Sequence, residues 1–384
     1  MHQPLSSSFS LGILGGGQLG KMLCQAAARW DITTHVLDPD PKAPASTVAT
    51  HFIIGSFRDY QTVIEFGQKV DMLTIEIEDV NLQAVEELAV SGIPVFPEPD
   101  CLKLVADKGK QKLFYQENQL PTANFKLYKN AEEIRAAIQK QELKLPFVQK
   151  LRKTGYDGKG VLLVTKLSDL NQLFDAPSVV EDYVEDAKEI AVIASRNQKG
   201  VMLVYQVVEM VFNTKANLVE YLLSPARIPS KTAAHAQNLA LDIMKRLNHT
   251  GLLAVELFID KTDQLLINEI APRPHNSGHH TIESAITSQY EQHLRAILGF
   301  PLGSTASKIP AVMVNLLGTE GYSGPVKYDG LDKALDIPGA SLHIYGKKHT
   351  RPYRKMGHAT IVDTDVEQAL IKAKTLQNIL KVIT

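Results

Sequence analysis

Cysteine is nearly absent. Cys24 and Cys101 stand far apart and no C-x-x-C occurs, which argues against a disulfide framework or a cysteine-ligated zinc site and fits a reducing compartment. The single tryptophan, Trp30, and Cys24 read as packing residues without chemistry. No apolar run reaches the roughly 18 residues of a membrane-spanning helix, and residues 1–10 lack the basic-then-apolar order of a secretory signal. Neither charge is in excess: 41 Lys and Arg against 42 Asp and Glu leave a net charge of −1. That argues against a general nucleic-acid or membrane-surface binder and makes any basic site local. The expectation is a soluble cytoplasmic protein with no nucleic-acid and no membrane partner. What the chain does have is 384 residues at 44% hydrophobic content, enough for two or three domains with buried cores.

From residue 9 to about 99 strand and helix patterns alternate, with strands expected at 9–14, 33–37 and 72–77, as in an open parallel sheet. The first turn, Gly15-Gly16-Gly17-Gln18-Leu19-Gly20, matches G-x-G-x-x-G, and Asp38 ends the next strand where a ribose-binding acid belongs. A nicotinamide dinucleotide would satisfy this turn. So would a phosphorylated sugar, because the glycines require only a tight turn and an anion near backbone N–H groups. Pro94, Pro97 and Pro99 mark a boundary near 100.

Beyond it the pattern gives a helix at 131–141, a strand containing Lys150, the loop Arg152-Lys153-Thr154-Gly155-Tyr156-Asp157-Gly158-Lys159-Gly160, and a second strand at 161–165. Two antiparallel strands joined by glycines and cations form either a solvated hairpin turn or a lid over nucleotide phosphates. It is not a Walker loop. The strand at 179–184, with Glu181 and Val184, runs into a hinge suited to an adenine edge, and Glu189 follows as a possible ribose acceptor.

The densest chemistry lies in Asn268-Glu269-Ile270-Ala271-Pro272-Arg273-Pro274-His275-Asn276-Ser277-Gly278-His279. Strands at 253–259 and 265–270, joined by Asp260-Lys261-Thr262-Asp263, would form a hairpin that brings Glu256 and Glu269 together. With Asn268 they are hard oxygen donors of the kind Mg²⁺ accepts beside nucleotide phosphates. After about 299 short strands return near 312–316, 341–345 and 358–362, with a last helix at 365–380. Lys347, Lys348, Arg351, Arg354 and Lys355 crowd one stretch, either as a solvated face or as a phosphate clamp.

Taken in order, these segments resemble the ATP-grasp superfamily. Three of them, 154–160, 268–279 and Arg351-Pro352-Tyr353-Arg354-Lys355-Met356-Gly357-His358, resemble the N5-carboxyaminoimidazole ribonucleotide synthetases of purine biosynthesis. The resemblance runs from about residue 11 to 362. It implies an α/β ATP-grasp fold with a Rossmann-like open parallel sheet over 1–100, an ATP-grasp domain over 101–300 whose lid covers about 113–185, and a small C-terminal α/β domain over 301–384. The implied reaction joins bicarbonate to 5-aminoimidazole ribonucleotide at the expense of ATP, through carboxyphosphate.

Carried over motif by motif, Lys108, Lys150, Gly155, Gly158, Gly160, Glu181, Val184, Glu189, Asn268 and Glu269 would hold ATP, and Glu256 and Glu269 would hold Mg²⁺. Lys108 stands where an arginine often occurs. Tyr156, Asp157, Lys159, Arg273, His275 and Asn276 would surround bicarbonate and its phosphorylated product. Gly16, Gln18, Leu19, Asp38, Glu76, Lys347, Arg354 and Lys355 would meet the ribonucleotide. A homodimer is also implied. The alternative is another ATP-grasp ligase, above all a formate-dependent glycinamide ribonucleotide transformylase, whose corresponding segment shares Pro-Arg-Pro-His but continues differently from Asn276-Ser277-Gly278-His279.

Overall fold

The computed structural model describes residues 6–153, 160–213 and 218–384. Short apolar runs ended by glycine and proline turns form five parallel strands in the spatial order His51–Ile54, Thr33–Asp38, Ser10–Leu14, Met72–Ile75, Val95–Phe96. Leu11, Ile13 and Leu14 on the central strand are fully buried, as expected of a strand covered on both faces. Helix Gln18–Ala28 covers it with Leu19, Met22, Leu23 and Ala27, one buried stripe at helical spacing. Strand order reverses between Ser10–Leu14 and Met72–Ile75. A crevice opens at the carboxyl ends of such strands, and Gly15 and Glu76 leave the two strands there. Strands His51–Ile54 and Val95–Phe96 escape the sequence pattern because one is half exposed and the other spans two residues.

The expected pair of strands around the basic loop forms as read: Phe147–Leu151 runs antiparallel to Val161–Val164, with Lys150 opposite Val161. Ser178–Asp182 and Phe125–Tyr128 complete a four-stranded sheet. Helix Ala131–Gln139, capped by Asn130, packs Ile134 onto Phe147, Val164 and Val180.

A nine-stranded sheet forms the body. Along its path lie Leu265–Ala271, Gly251–Ile259, Lys188–Arg196, Val208–Asn213, Leu218–Ser224, Ala311–Leu317, Lys355–Val362 and Ala340–Ile344, with Met202–Val204 paired beside Lys188–Arg196. The strands of the C-terminal α/β unit continue this sheet, because Leu218–Ser224 pairs with Ala311–Leu317. Helix Val366–Ile379 covers that end with Ala369, Leu370, Ala373 and Leu376. At the other end one core joins Leu73 and Ile75 of the parallel sheet, with Leu88 of helix Leu82–Val90, to Val192, Leu253 and Val255 of the large one. The crevice therefore opens between elements that share packing. Among the described residues no helix is long and apolar enough to cross a membrane.

Candidate active site

Strands Gly251–Ile259 and Leu265–Ala271 pair with Glu256 opposite Glu269, as the hairpin reading requires. Regular pairing would send Asn268 to the face opposite Glu269, since side chains alternate along a strand. The register shifts at this point: Leu257 pairs with Ile267, leaving Asn268 as the extra residue of a β-bulge. A bulge re-aims a side chain. Asn268 Nδ2 lies 3.5 Å from Glu256 Oε2, while Asn268 Oδ1 accepts from Lys150 Nζ at 2.7 Å. Lys108 pairs with Glu269, and His275 Nε2 lies 3.5 Å from Glu256 Oε1. The Lys108 ammonium holds the Glu269 carboxyl well below the usual range. Burial, with Glu269 and Glu189 nearby, pushes Glu256 upward.

Lys150 also donates to Glu181 Oε2 at 3.1 Å. Lys112 approaches the same oxygen from behind at 3.3 Å and donates to Thr122 Oγ1 at 2.6 Å. Burial lowers the Lys112 pKa to about 8. Burial also acts to raise Glu181, but Lys150 and Lys112 outweigh it and hold the carboxylate low. Glu181 Oε1 is buried without a hydrogen-bond partner. Lys108 and Lys112 are one turn apart on helix Lys108–Glu117, so they share a face. Asp107 caps this helix, accepting from Gly109 N at 2.8 Å, and takes two bonds from Arg152, 2.8 Å from Nε and 2.6 Å from the terminal nitrogen.

Beside these groups Glu189, pushed up to about 7 by burial, lines an open cleft of about 420 Å³ with Asp186, Lys188, Met210 and Phe212. Val184 is half-buried just beyond strand Ser178–Asp182.

On the crevice side, Gly15 has φ +99°, which favours glycine. Glu76 Oε2 accepts from Gly20 N at 2.9 Å, and burial raises the Glu76 pKa. Arg273 Nε meets Glu78 Oε1 at 2.8 Å and adds its charge to the surroundings of Glu76. The sequence PRPH therefore links the carboxylate hairpin to the parallel sheet. Asp38 is occupied within the turn, accepting from Gly16 N at 2.7 Å and Asp40 N at 2.8 Å. Gln18 begins the helix, and the Leu19 side chain sits in the core.

Among the late cations, Lys347 Nζ donates to Lys355 O at 2.8 Å and lies 5.6 Å from the Tyr345 ring centre. Arg354 donates to His349 O at 2.7 Å. The charge of Lys355 reaches Glu256 and His279. Lys21, on the helix after the glycine turn, donates to Ile344 O at 3.0 Å and Tyr345 O at 3.2 Å, tying that helix to the segment before the late cations. Gly155, Tyr156, Asp157, Gly158 and Lys159 lie outside the described residues; Gly160, at φ +75°, accepts from Leu151 N at 2.8 Å. Asn276 opens a single 3₁₀ turn after His275.

Sequence reasoning missed Lys112, Asp107, Arg152, Glu78 and Lys21. Of these, Asp107 carried a legible signal, an N-cap residue directly before Lys108.

These residues fit ATP with a divalent cation. Glu181 Oε1 is a buried acceptor awaiting a donor, Lys108 and Lys150 converge where phosphates need charge, and two carboxylates face each other across the hairpin. Among the described residues no cluster of three or more His, Cys, Asp or Glu could hold a metal. Mg²⁺ commonly takes one or two carboxylates and leaves its other positions to phosphates and water.

Three family models match successive parts of the chain. Residues 9–106 match the ribonucleotide synthetase preATP-grasp domain, 113–290 the ATP-grasp domain, and 311–372 the phosphoribosylaminoimidazole carboxylase C-terminal domain. A chloroplastic phosphoribosylaminoimidazole carboxylase of Vigna aconitifolia is 38% identical over 93% of this chain, which spans 64% of that relative, just under two thirds of its length. The crystal structure of N5-carboxyaminoimidazole ribonucleotide synthetase from Thermotoga maritima superposes with TM-score 0.90 at 43% identity, covering 98% of this chain and 99% of that one. The Aspergillus clavatus N5-carboxyaminoimidazole synthase, in complex with ADP and 5-aminoimidazole ribonucleotide, gives TM-score 0.88 at 31% identity, covering 97% and 98%. The chain belongs to the N5-carboxyaminoimidazole ribonucleotide synthetase family, built on an ATP-grasp fold.

Proposed function

We propose that this protein carboxylates 5-aminoimidazole ribonucleotide with ATP and bicarbonate, giving N5-carboxyaminoimidazole ribonucleotide, ADP and phosphate. The observation that carries the reading is the bulged hairpin. It sets Glu256, Asn268 and Glu269 against Lys108 and Lys150, and its Arg273 extension reaches the crevice of the parallel sheet. Residues 1–100 would hold the ribonucleotide, 101–300 ATP, and 301–384 the phosphate end.

Lys108 and Lys150 neutralise the transferring phosphates, Glu181 receives the base and Glu189 the ribose. When bound by Glu256 and Glu269, Mg²⁺ would supply charge neutralisation at the β- and γ-phosphates. A bicarbonate oxygen attacks the γ-phosphorus, the bond to the β-phosphate oxygen breaks, and ADP leaves. Arg273, His275 and Asn276, with Tyr156, Asp157 and Lys159, would stabilise the resulting carboxyphosphate. Cleavage of its C–O bond gives phosphate and CO₂, which the 5-amino group attacks with loss of a proton. Catalysis here is mainly positioning and charge stabilisation. Gly16, Gln18, Leu19 and Glu76 hold the sugar side, Asp38 shapes that turn, and Lys347, Arg354 and Lys355 meet the 5′-phosphate.

The test is ADP formation by purified protein with Mg-ATP and bicarbonate, with and without aminoimidazole ribonucleotide, and in parallel with formate and glycinamide ribonucleotide. Turnover that requires the aminoimidazole supports the proposal. Turnover only with the formate pair overturns it.

A further inference from the structure

We propose that Gln289 is a positioning residue for this reaction and that, with Ser277, it presents His275 as a fixed Nε2–H donor rather than as a proton acceptor. The inference rests on the function proposed above. Gln289 is the first residue of helix Gln289–Ile297, which Ser288 caps, and it is completely buried. Its side-chain amide closes two bonds on the main chain of one residue: His275 N–H donates to Oε1 at 2.9 Å, and Nε2 donates to His275 O at 2.8 Å. The Gln289 N–H in turn donates to Thr281 Oγ1 at 2.8 Å, and the Thr281 hydroxyl donates to Gly278 O at 2.6 Å. One helix terminus thus pins the segment from His275 to Gly278 at both ends. There is no slack in this packing, since a Cβ on Gly278 would run into Ile193 and Gln289. Displacing the buried amide would leave its donor and acceptor unsatisfied.

The ring is oriented separately. Ser277 N–H donates to His275 Nδ1 at 3.3 Å, and Ser277 Oγ lies 2.9 Å from the same nitrogen. A backbone N–H can only donate, so Nδ1 accepts and the hydrogen of the ring sits on Nε2. Nε2 points into the site, 3.5 Å from Glu256 Oε1. Held in this way, the imidazole can donate to a negative oxygen of carboxyphosphate and has no free lone pair with which to take the proton of bicarbonate. His275 transfers no proton in this scheme.

The test uses the full chain and three variants. Gln289→Met keeps volume and removes both bonds; kcat should fall about 10- to 100-fold, as for a displaced catalytic group. Its KM for ATP should stay within about twofold, a split that general misfolding would not produce. His275→Gln carries an amide N–H near the ring Nε2–H and should retain roughly tenfold or more activity over His275→Leu, which loses a donor to the developing anion. In ¹⁵N-histidine-labelled wild type, the resonance missing from His275→Gln should report the Nε2–H tautomer. An Nδ1–H tautomer, equal inactivity of the Gln and Leu variants, or unchanged kcat in Gln289→Met overturns the inference. The assignment needs only that His275→Gln folds, so the tautomer decides the inference even where Gln289→Met or His275→Leu does not fold. Absence of aminoimidazole-dependent turnover in wild type would instead overturn the function.

Discussion

Asp107 caps the helix that carries Lys108 and Lys112, and replacing it should separate two effects. Its carboxylate is 4% exposed, caps helix Lys108–Glu117 and takes two bonds from Arg152. Asp107→Ala removes the cap, at about 1 kcal/mol. It also removes charge-assisted bonds, at roughly 1.5–3 kcal/mol. The expected loss is therefore about 3 kcal/mol by these estimates. Asp107→Asn retains an acceptor for Gly109 but can turn an amide N–H₂ toward Arg152, so its loss should be near 2 kcal/mol.

Denaturant unfolding of Asp107→Ala, Arg152→Ala and the double variant measures the pair directly, with an expected coupling of about 1–2 kcal/mol. Lys108 is the first residue of the capped helix and the partner of Glu269, so the KM for ATP should rise with the loss of stability. Strict additivity, within about 0.5 kcal/mol, would refute the pair as a structural joint.

Two further outcomes follow from the same geometry. Burial acts to raise Asp107 and also Glu209, which lies on strand Val208–Asn213 and accepts from the Arg227 guanidinium, but Arg152 and nearby N–H groups hold the first, and Arg227 the second, below their ordinary values. Each therefore contributes stability that is present above the unfolded value, about 4, and is lost as pH falls through the folded one. Unfolding of wild type from pH 6 to pH 2 should steepen below about pH 4; Asp107→Asn should lose part of that slope, and identical curves would contradict the assignment. Asn268→Leu removes the acceptor that the bulge turns toward Lys150, and should raise the KM for ATP about tenfold, the equivalent of one modest hydrogen bond, while leaving that for aminoimidazole ribonucleotide unchanged. An equal rise in both would mean that the bulge supports the whole site rather than the ATP side.

The hairpin was legible because two apolar runs flank a polar turn, and the facing of Glu256 and Glu269 follows from period-two alternation. The direction of Asn268 was not legible, because a bulge is a property of two paired strands and leaves no mark on one. Lys112 reads as surface in a lysine-rich helix, yet Thr122 and Glu181, both distant in sequence, bury it. Gln289 gives no signal at all, since its partner is a backbone 14 residues away. Asp38 shows the opposite case. The dinucleotide-like pattern is real, but the structure uses both of its oxygens within the turn. The continuation of the central sheet into the last unit depends on Leu218–Ser224, which pairs with a strand about 90 residues further along the chain, a contact that local pattern does not mark.

The proposed chemistry activates bicarbonate by phosphoryl transfer within this site. The most direct measurement is the isotopic composition of the phosphate released when ¹⁸O-labelled bicarbonate, ATP and aminoimidazole ribonucleotide turn over. Attack by bicarbonate on the γ-phosphorus predicts one ¹⁸O carried into phosphate for each ADP formed, lost together with ADP formation in Glu269→Gln. Unlabelled phosphate accompanying full turnover would contradict the account.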